Sequence, residues 1–250
     1  MDTRRQKIST TQDFLQWAEE QRGTPYHESL QEARKQVALL DLDEAARRSG
    51  AGYRELDDGS VELILPLLGR EYLLRFPGPQ IVDKASGREP SPYRQIILLH
   101  YLAQADDTIG PAGLVSFDEL QHGRPYVHSL REGGFRPLAA AYADAPGQFR
   151  LAAAALGGHP LPELGDLAFA FRPLPLLVMG IVLMPGDEEF PGEVKLLVDA
   201  SSEHHLSTYD LAVLARLLCQ TLAQLRPVEG EVPSLSSLAV DEDGALYGAP

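Results

Sequence analysis

The chain has 250 residues, 44% hydrophobic and 23% charged, enough to bury one large core or two small ones. Its formal net charge of −14 repels phosphate backbones and anionic lipid, so nucleic-acid and membrane-surface binding are disfavoured. Cys219 is the only cysteine, which excludes an intrachain disulfide and any zinc or iron–sulfur site built from the chain's own thiolates.

Most of the acidic excess falls after residue 160. The opening MDTRRQKISTTQDFLQW has no apolar core of a secretory leader. The apolar run over 174–184 is about half the roughly 20 residues a membrane-spanning helix needs. A soluble, cytoplasmic protein is expected.

Residues 10–22 set Phe14, Leu15 and Trp17 among polar positions, as in a short amphipathic helix stopped by Gly23 and Pro25. A second helix is predicted from about Glu28 to Leu40, with Leu30, Ala33, Val37 and Leu40 at helical spacing, and with the option of running on to Gly50. The period then shortens to two. Strands are predicted at 52–56, 61–65, 71–76 and 81–83, with Asp58-Gly59 as a hairpin turn and 68–70 as a second one. This reads as an antiparallel meander.

Pro92 after Ser91 opens a helix to about Ala105 that is apolar on most sides, so it belongs in a core. A short strand at 114–117 and helices over 124–131, 135–142 and 146–156 follow. The stretch 166–172 leads through Pro173 into the run 174–184, predicted as one central strand, and 194–198 forms another. Between them lies the loop Pro185-Gly-Asp-Glu-Glu-Phe-Pro-Gly. Ser207-Thr-Tyr-Asp opens the last clear helix, with Asp210 suiting its positive dipole end, and the helix closes near Leu225. The expected organisation is a single α+β domain over 1–225, with antiparallel sheet packed against helices and a flexible acidic tail over 226–250.

Three segments resemble a known family. They are Gly59-Ser-Val-Glu-Leu-Ile-Leu-Pro-Leu-Leu-Gly-Arg-Glu-Tyr, Gly165-Asp-Leu-Ala-Phe-Ala-Phe-Arg-Pro-Leu-Pro, and Gly186-Asp-Glu-Glu-Phe-Pro with Leu196-Leu-Val-Asp downstream. Together they are similar to DUF3786, a domain of unknown function of anaerobic bacteria and archaea, over roughly 25–225. The resemblance implies no established activity. It implies an association of some relatives with cysteine-rich iron–sulfur domains or with one-carbon and corrinoid metabolism. The single cysteine departs from the cluster-bearing pattern.

Two stretches carry the candidate ligand-binding residues. Asp187, Glu188 and Glu189 lie in the loop between two predicted strands, and Asp199 follows the second. Converging carboxylates coordinate hard cations or divide acid and base roles, while a loop of acids is also an ordinary solvated hairpin end. His204 and His205 come next, and imidazole suits zinc, iron, cobalt or nickel. No His-x-x-x-His spacing accompanies them, and adjacent residues point to different sides.

Ser201 and Ser202 near His204 and Asp199 lack a Gly-x-Ser-x-Gly elbow, so a catalytic triad is not expected. Cys219 sits among leucines as a buried inert thiol. Asp106 and Asp107 read as a turn after a helix, Arg75, Arg124 and Arg131 as surface charges, and Gly157-Gly158-His159-Pro160 lacks the Lys-Ser/Thr of a phosphate loop.

The leading expectation is a ligand- or partner-binding accessory domain without catalysis, taking a small molecule or a protein partner. The alternatives are a metal-dependent enzyme on a small molecule, with Asp187, Glu189, Asp199 and His204 or His205 as ligands, and a corrinoid-associated protein bound through a histidine. The residues assign no cofactor.

Overall fold

Alternation and turn chemistry build most of the architecture. The computed structural model describes residues 25–186, 189–227 and 233–235. The amphipathic helix expected at 10–22 lies outside the described residues. Helix α1 (Pro25–Val37) buries Leu30, Ala33 and Val37 on one face. It does not run on to Gly50. Asp41 starts a separate helix, α2 (Leu42–Ser49), by accepting a hydrogen bond from the Glu44 backbone N–H at 3.1 Å, and Gly50 ends it at φ 70°.

The meander follows as expected: β1 (Gly52–Glu55), β2 (Val61–Leu67), β3 (Arg70–Phe76) and β4 (Gln80–Asp83), antiparallel and in sequence order. Leu63, Leu65, Leu67, Tyr72, Leu74, Phe76 and Ile81 form its buried face. On the opposite face Arg54, Glu62 and Arg75 sit side by side across three strands. Both guanidiniums bond the Glu62 carboxylate, which their stems help to bury.

Helix α3 (Pro92–Gln104) starts with proline in its first turn and buries Tyr93, Ile96, Ile97, Leu98, Leu99, Tyr101 and Leu102. A second antiparallel sheet has the order β5–β9–β8–β7–β6, with β5 at Leu114–Ser116, β6 at His159–Pro160, β7 at Ala168–Leu174, β8 at Leu177–Met184 and β9 at Glu193–Asp199. The apolar run 174–184 is therefore not one strand. Leu174 ends β7 and pairs with Leu177, and Pro175 and Leu176 form the turn between them. Continuous hydrophobicity concealed a tight hairpin because both of its arms are core.

Helices α4 (Arg124–Leu130) and α5 (Arg136–Ala141), expected as separate elements, join through a π-helical turn at Arg131–Phe135. Gly133 permits this: a Cβ there would lie 2.4 Å from the Arg216 guanidinium. Helices α6 (Pro146–Ala155) and α7 (Thr208–Gln224) complete the set. Cys219 on α7 is fully buried, and burial alone pushes its thiol up to about 12.

The fold is α+β, with both sheets packed on helices and one continuous apolar cluster spanning them. The sheets meet where the Leu68 N–H bonds the Pro173 carbonyl at 2.9 Å. Within the stretch expected to form a tail, Leu235 packs beside Gly69 and its carbonyl accepts from Arg70 at 2.6 Å. No described helix is long and apolar enough to cross a membrane.

One buried hydroxyl ties three elements together. Tyr101 of α3 donates to the Ser49 carbonyl at 2.9 Å and accepts the Leu176 N–H at 3.0 Å. Tyr101→Phe orphans a carbonyl at the end of α2 and an N–H in the β7–β8 turn. It is expected to cost roughly 2–4 kcal/mol in urea unfolding with an unchanged slope. Tyr53→Phe, at an exposed phenol, is expected to cost less than about 0.5 kcal/mol.

Candidate functional site

The β8–β9 hairpin places the first set of candidates. Its arms pair from Met179 with Val198 to Met184 with Glu193. They close on Gly186, where a Cβ would lie 2.5 Å from the Gly192 nitrogen and 2.7 Å from the Phe190 carbonyl oxygen. Asp187 and Glu188 lie outside the described residues. Glu189 is exposed at the hairpin end, beside Phe190 at 67% exposure. Asp199 lies at the far end of β9, about 20 Å away at roughly 3.3 Å per residue. Glu189 and the Asp199–His205 segment therefore do not share one site.

Asp199 is a backbone bracket. Its carboxylate accepts the N–H groups of Ala112 and Gly113, both at 3.0 Å, the Ser201 N–H at 2.9 Å and the Ser201 hydroxyl. Burial pushes the carboxyl up, but the bonds from Ala112, Ser201 and Gly113 outweigh it and hold it below the ordinary carboxylate range. This residue caps the 3₁₀ turn at Ala200–His204 and fastens the 112–113 strand entry to it. Ser201, 4% exposed, donates its hydroxyl to Asp199 as part of this bracket.

The histidine pair divides. His204 is exposed. His205 is buried, and its Nδ1 accepts the Asp106 N–H at 3.3 Å, which assigns the proton to Nε2. Burial first, and then His204, push its pKa down, so the ring is neutral in the fold. Asp106 and Asp107 are likewise accounted for locally, the first by Thr108 and the second by Arg47. Among the described residues, no three His, Cys, Asp or Glu side chains gather to hold a metal ion.

A different histidine–carboxylate pair has the geometry of a site. Asp210, 3% exposed in the first turn of α7, sits 3.0 Å from Nδ1 of His100 on α3. The Ser207 hydroxyl donates to the same Asp210 oxygen at 2.7 Å, and Ser207 Oγ in turn accepts the Asp210 N–H. The hydrogen bond to Asp210 outweighs burial and raises His100 above the usual imidazole value.

With Nδ1 engaged, Nε2 is the ring nitrogen left for the groove that His100 lines. That groove encloses about 570 Å³, and its other lining residues are Glu28, Ser29, Gln31, Glu32 and Lys35 of α1. Tyrosines cluster around the pair. Tyr26 and Tyr93 meet edge to face at 4.3 Å, Tyr126 and Tyr209 at 6.0 Å, and Tyr209 feels both Tyr26 and Asp210.

Sequence reasoning missed this pair. Asp210 was fully explained as a helix-start acid. His100 was one polar residue in an apolar helix, and 110 positions separate the partners. The available signal was His100 itself, since a histidine among Leu98, Leu99, Tyr101 and Leu102 needs a partner.

The chain belongs to the DUF3786 family, a domain of unknown function whose model matches residues 41–221, in agreement with the resemblance in the three segments. No curated protein and no solved structure matches it. The matched span holds His100, Asp210, Asp199 and His205. The α1 wall of the groove precedes it.

The Asp199 and His205 environments set a pH dependence. Both folded-state pKa values are lowered. Stability from neutral His205 is therefore lost as pH falls below about 6.5 toward its folded value, and that from Asp199 is lost further down, below about 3.9. Unfolding free energies at pH 7.5 and 5.5 are expected to differ less in His205→Gln than in the parent. Asp199→Ala, which removes the acceptor of the Ala112, Gly113 and Ser201 N–H groups, of which only the last is buried, is expected to cost on the order of 1–3 kcal/mol at pH 7.

Proposed function

We propose that this DUF3786 member is a ligand-binding accessory protein whose binding site is the groove over His100. One observation carries the reading. A buried carboxylate holds an imidazole in one tautomer at an open groove whose other walls carry Glu28, Glu32 and Lys35, with the second ring nitrogen left for a ligand. Orienting a histidine through its far nitrogen is how proteins prepare the near one for a hydrogen bond or a proton.

The lining favours one kind of ligand. Glu28 and Glu32 are acceptors, as is Nε2 whenever the ring is unprotonated, and Lys35 is already beside Glu32 at 3.5 Å. A small polar molecule with hydrogen-bond donors and positive charge fits this surface better than an anion does. The chain's charge of −14 points the same way and argues against nucleic acid. The binding unit is taken as one α+β domain to about residue 225, supported by the continuous core.

The test uses putrescine as cationic probe and inorganic phosphate as anionic probe, read on the His100 ring resonances by NMR. Putrescine is expected to shift them saturably and to lower the apparent His100 pKa, because added positive charge disfavours the imidazolium. Phosphate is expected to leave them unmoved. His100→Gln and Asp210→Asn are expected to abolish putrescine-dependent changes elsewhere in the spectrum. Silence of His100 toward putrescine, or unaltered binding in both variants, overturns the reading.

The pair also sets a stability trend. His100 is raised, so its stabilising contribution is full below about 6.5 and is lost as pH rises through the folded value. His100→Gln should therefore cost more at pH 6 than at pH 9.

A further inference from the structure

The hairpin end singled out in the sequence has a second property. A cleft of about 400 Å³ opens between α6, the 164–167 loop and the end of β8, lined by Pro146, Arg150, Leu164, Leu167, Met184 and Pro185 among others. Large apolar side chains stand in solvent around it. Leu164 is 42% exposed and Met184 41%, both in the cleft wall. Leu151 is 53% exposed, one helical turn from the cleft residue Gly147, and Phe190 is 67% exposed on the hairpin directly beyond Pro185. These are four of the seven large hydrophobics exposed among the described residues. A monomer seldom leaves such a grouping uncovered.

Charge selects what covers it. Glu163 and Asp166 flank Leu164 in the chain, and Glu189 and Glu193 flank Phe190. Arg150 on the cleft wall bonds the Asp166 carbonyl at 3.3 Å, and Lys195 is paired with Val182 across the sheet. An apolar patch with an acidic surround repels anionic membrane and a second copy of itself. It complements a protein segment with apolar anchors among lysines and arginines.

We propose that this cleft is a docking surface for a basic, amphipathic segment of a partner protein, distinct from the groove over His100. Apolar anchors from the partner enter between Leu164 and Met184 and pack on Phe190. Its basic residues meet Glu163, Asp166 and Glu193. Burial of the anchors supplies affinity, and the charges supply orientation and association rate.

The probe is a fluorescein-labelled model peptide of helically patterned leucine and lysine, with a leucine and glutamate peptide of the same pattern as its counterpart. Binding to the full chain is followed by fluorescence anisotropy at two salt concentrations. The basic peptide is expected to bind saturably and more weakly at high salt, and the acidic peptide is expected not to bind. The combined variant Leu164→Ser, Met184→Ser and Phe190→Ser is expected to lower affinity at least about tenfold, a readout that charge attraction alone does not move.

Leu39→Ser, at an 88% exposed leucine on the α1–α2 connection, serves as control and is expected to bind like the parent. All these positions are surface-exposed, so thermal melts are expected to stay near that of the parent chain. Equal binding by the combined variant, equal binding of the two peptides, or equal weakening by Leu39→Ser overturns the proposal.

Discussion

The rotation of α3 about its own axis governs the molecule. This helix is apolar on nearly every side, so the hydrophobic effect buries it without choosing which residue faces which neighbour. Its buried polar groups make that choice: Arg94 toward Tyr72, Gln95 toward the Pro90 carbonyl, and above all the Tyr101 hydroxyl. That hydroxyl has two buried polar partners, the Ser49 carbonyl and the Leu176 N–H, and both go unsatisfied if the helix turns. Successive helical residues differ by about 100° in direction. With Tyr101 aimed at α2 and the β7–β8 turn, His100 is aimed elsewhere, toward the start of α7 and Asp210. A structural bond thus fixes the orientation of the candidate functional histidine.

Four carboxylates are buried among the described residues, and comparing their partners shows why one of them matters. A buried carboxylate is costly unless charges or N–H groups compensate it. Glu62 has two arginines. Asp83 has Arg70 and the Ser86 N–H and hydroxyl. Asp199 has three backbone N–H groups and a serine hydroxyl. These partners keep their protons throughout the neutral range, so the three acids are fixed parts of the scaffold. Asp210 alone leans on a group that titrates near neutrality, and that group borders a groove. Burial depth does not separate structural acids from a functional one, whereas the chemistry of the partner does.

The same comparison explains what the sequence disclosed. The meander was legible because alternation, Asp58-Gly59 and the short connection at Leu68 and Gly69 are local signals. The family was legible in segments that build β2, β3, β7 and the β8–β9 hairpin. Hairpins inside apolar runs were not, since Leu174 and Leu177 are both core and leave no polarity contrast at the turn. Break points set by one cap, such as Asp41, were equally faint. Asp199, His204 and His205 drew notice by residue type. Two of them serve the backbone, and the third is exposed. Residue type shows that a polar group is present. Its function depends on the partner, and Asp210 lies too far along the chain from His100 to be paired by spacing.

The matched span divides the groove in an informative way. His100 on α3 and Asp210 on α7 lie inside it, as does Tyr101, which orients the histidine. Glu28, Ser29, Gln31, Glu32 and Lys35 lie on α1, before it begins. Helix α1 is nonetheless seated firmly, through Leu30, Ala33 and Val37 in the core and through Arg34, which donates to Gln95 of α3 at 3.0 Å. The core contacts fix the helix axis and leave Glu28, Glu32 and Lys35 exposed on the groove side. In the proposed site, the imidazole and the residues that would select a ligand thus belong to separate parts of the chain. None of Glu28, Gln31, Glu32 and Lys35 takes part in the bond between His100 and Asp210. A site divided in this way keeps one proton-bearing group while its specificity changes around it.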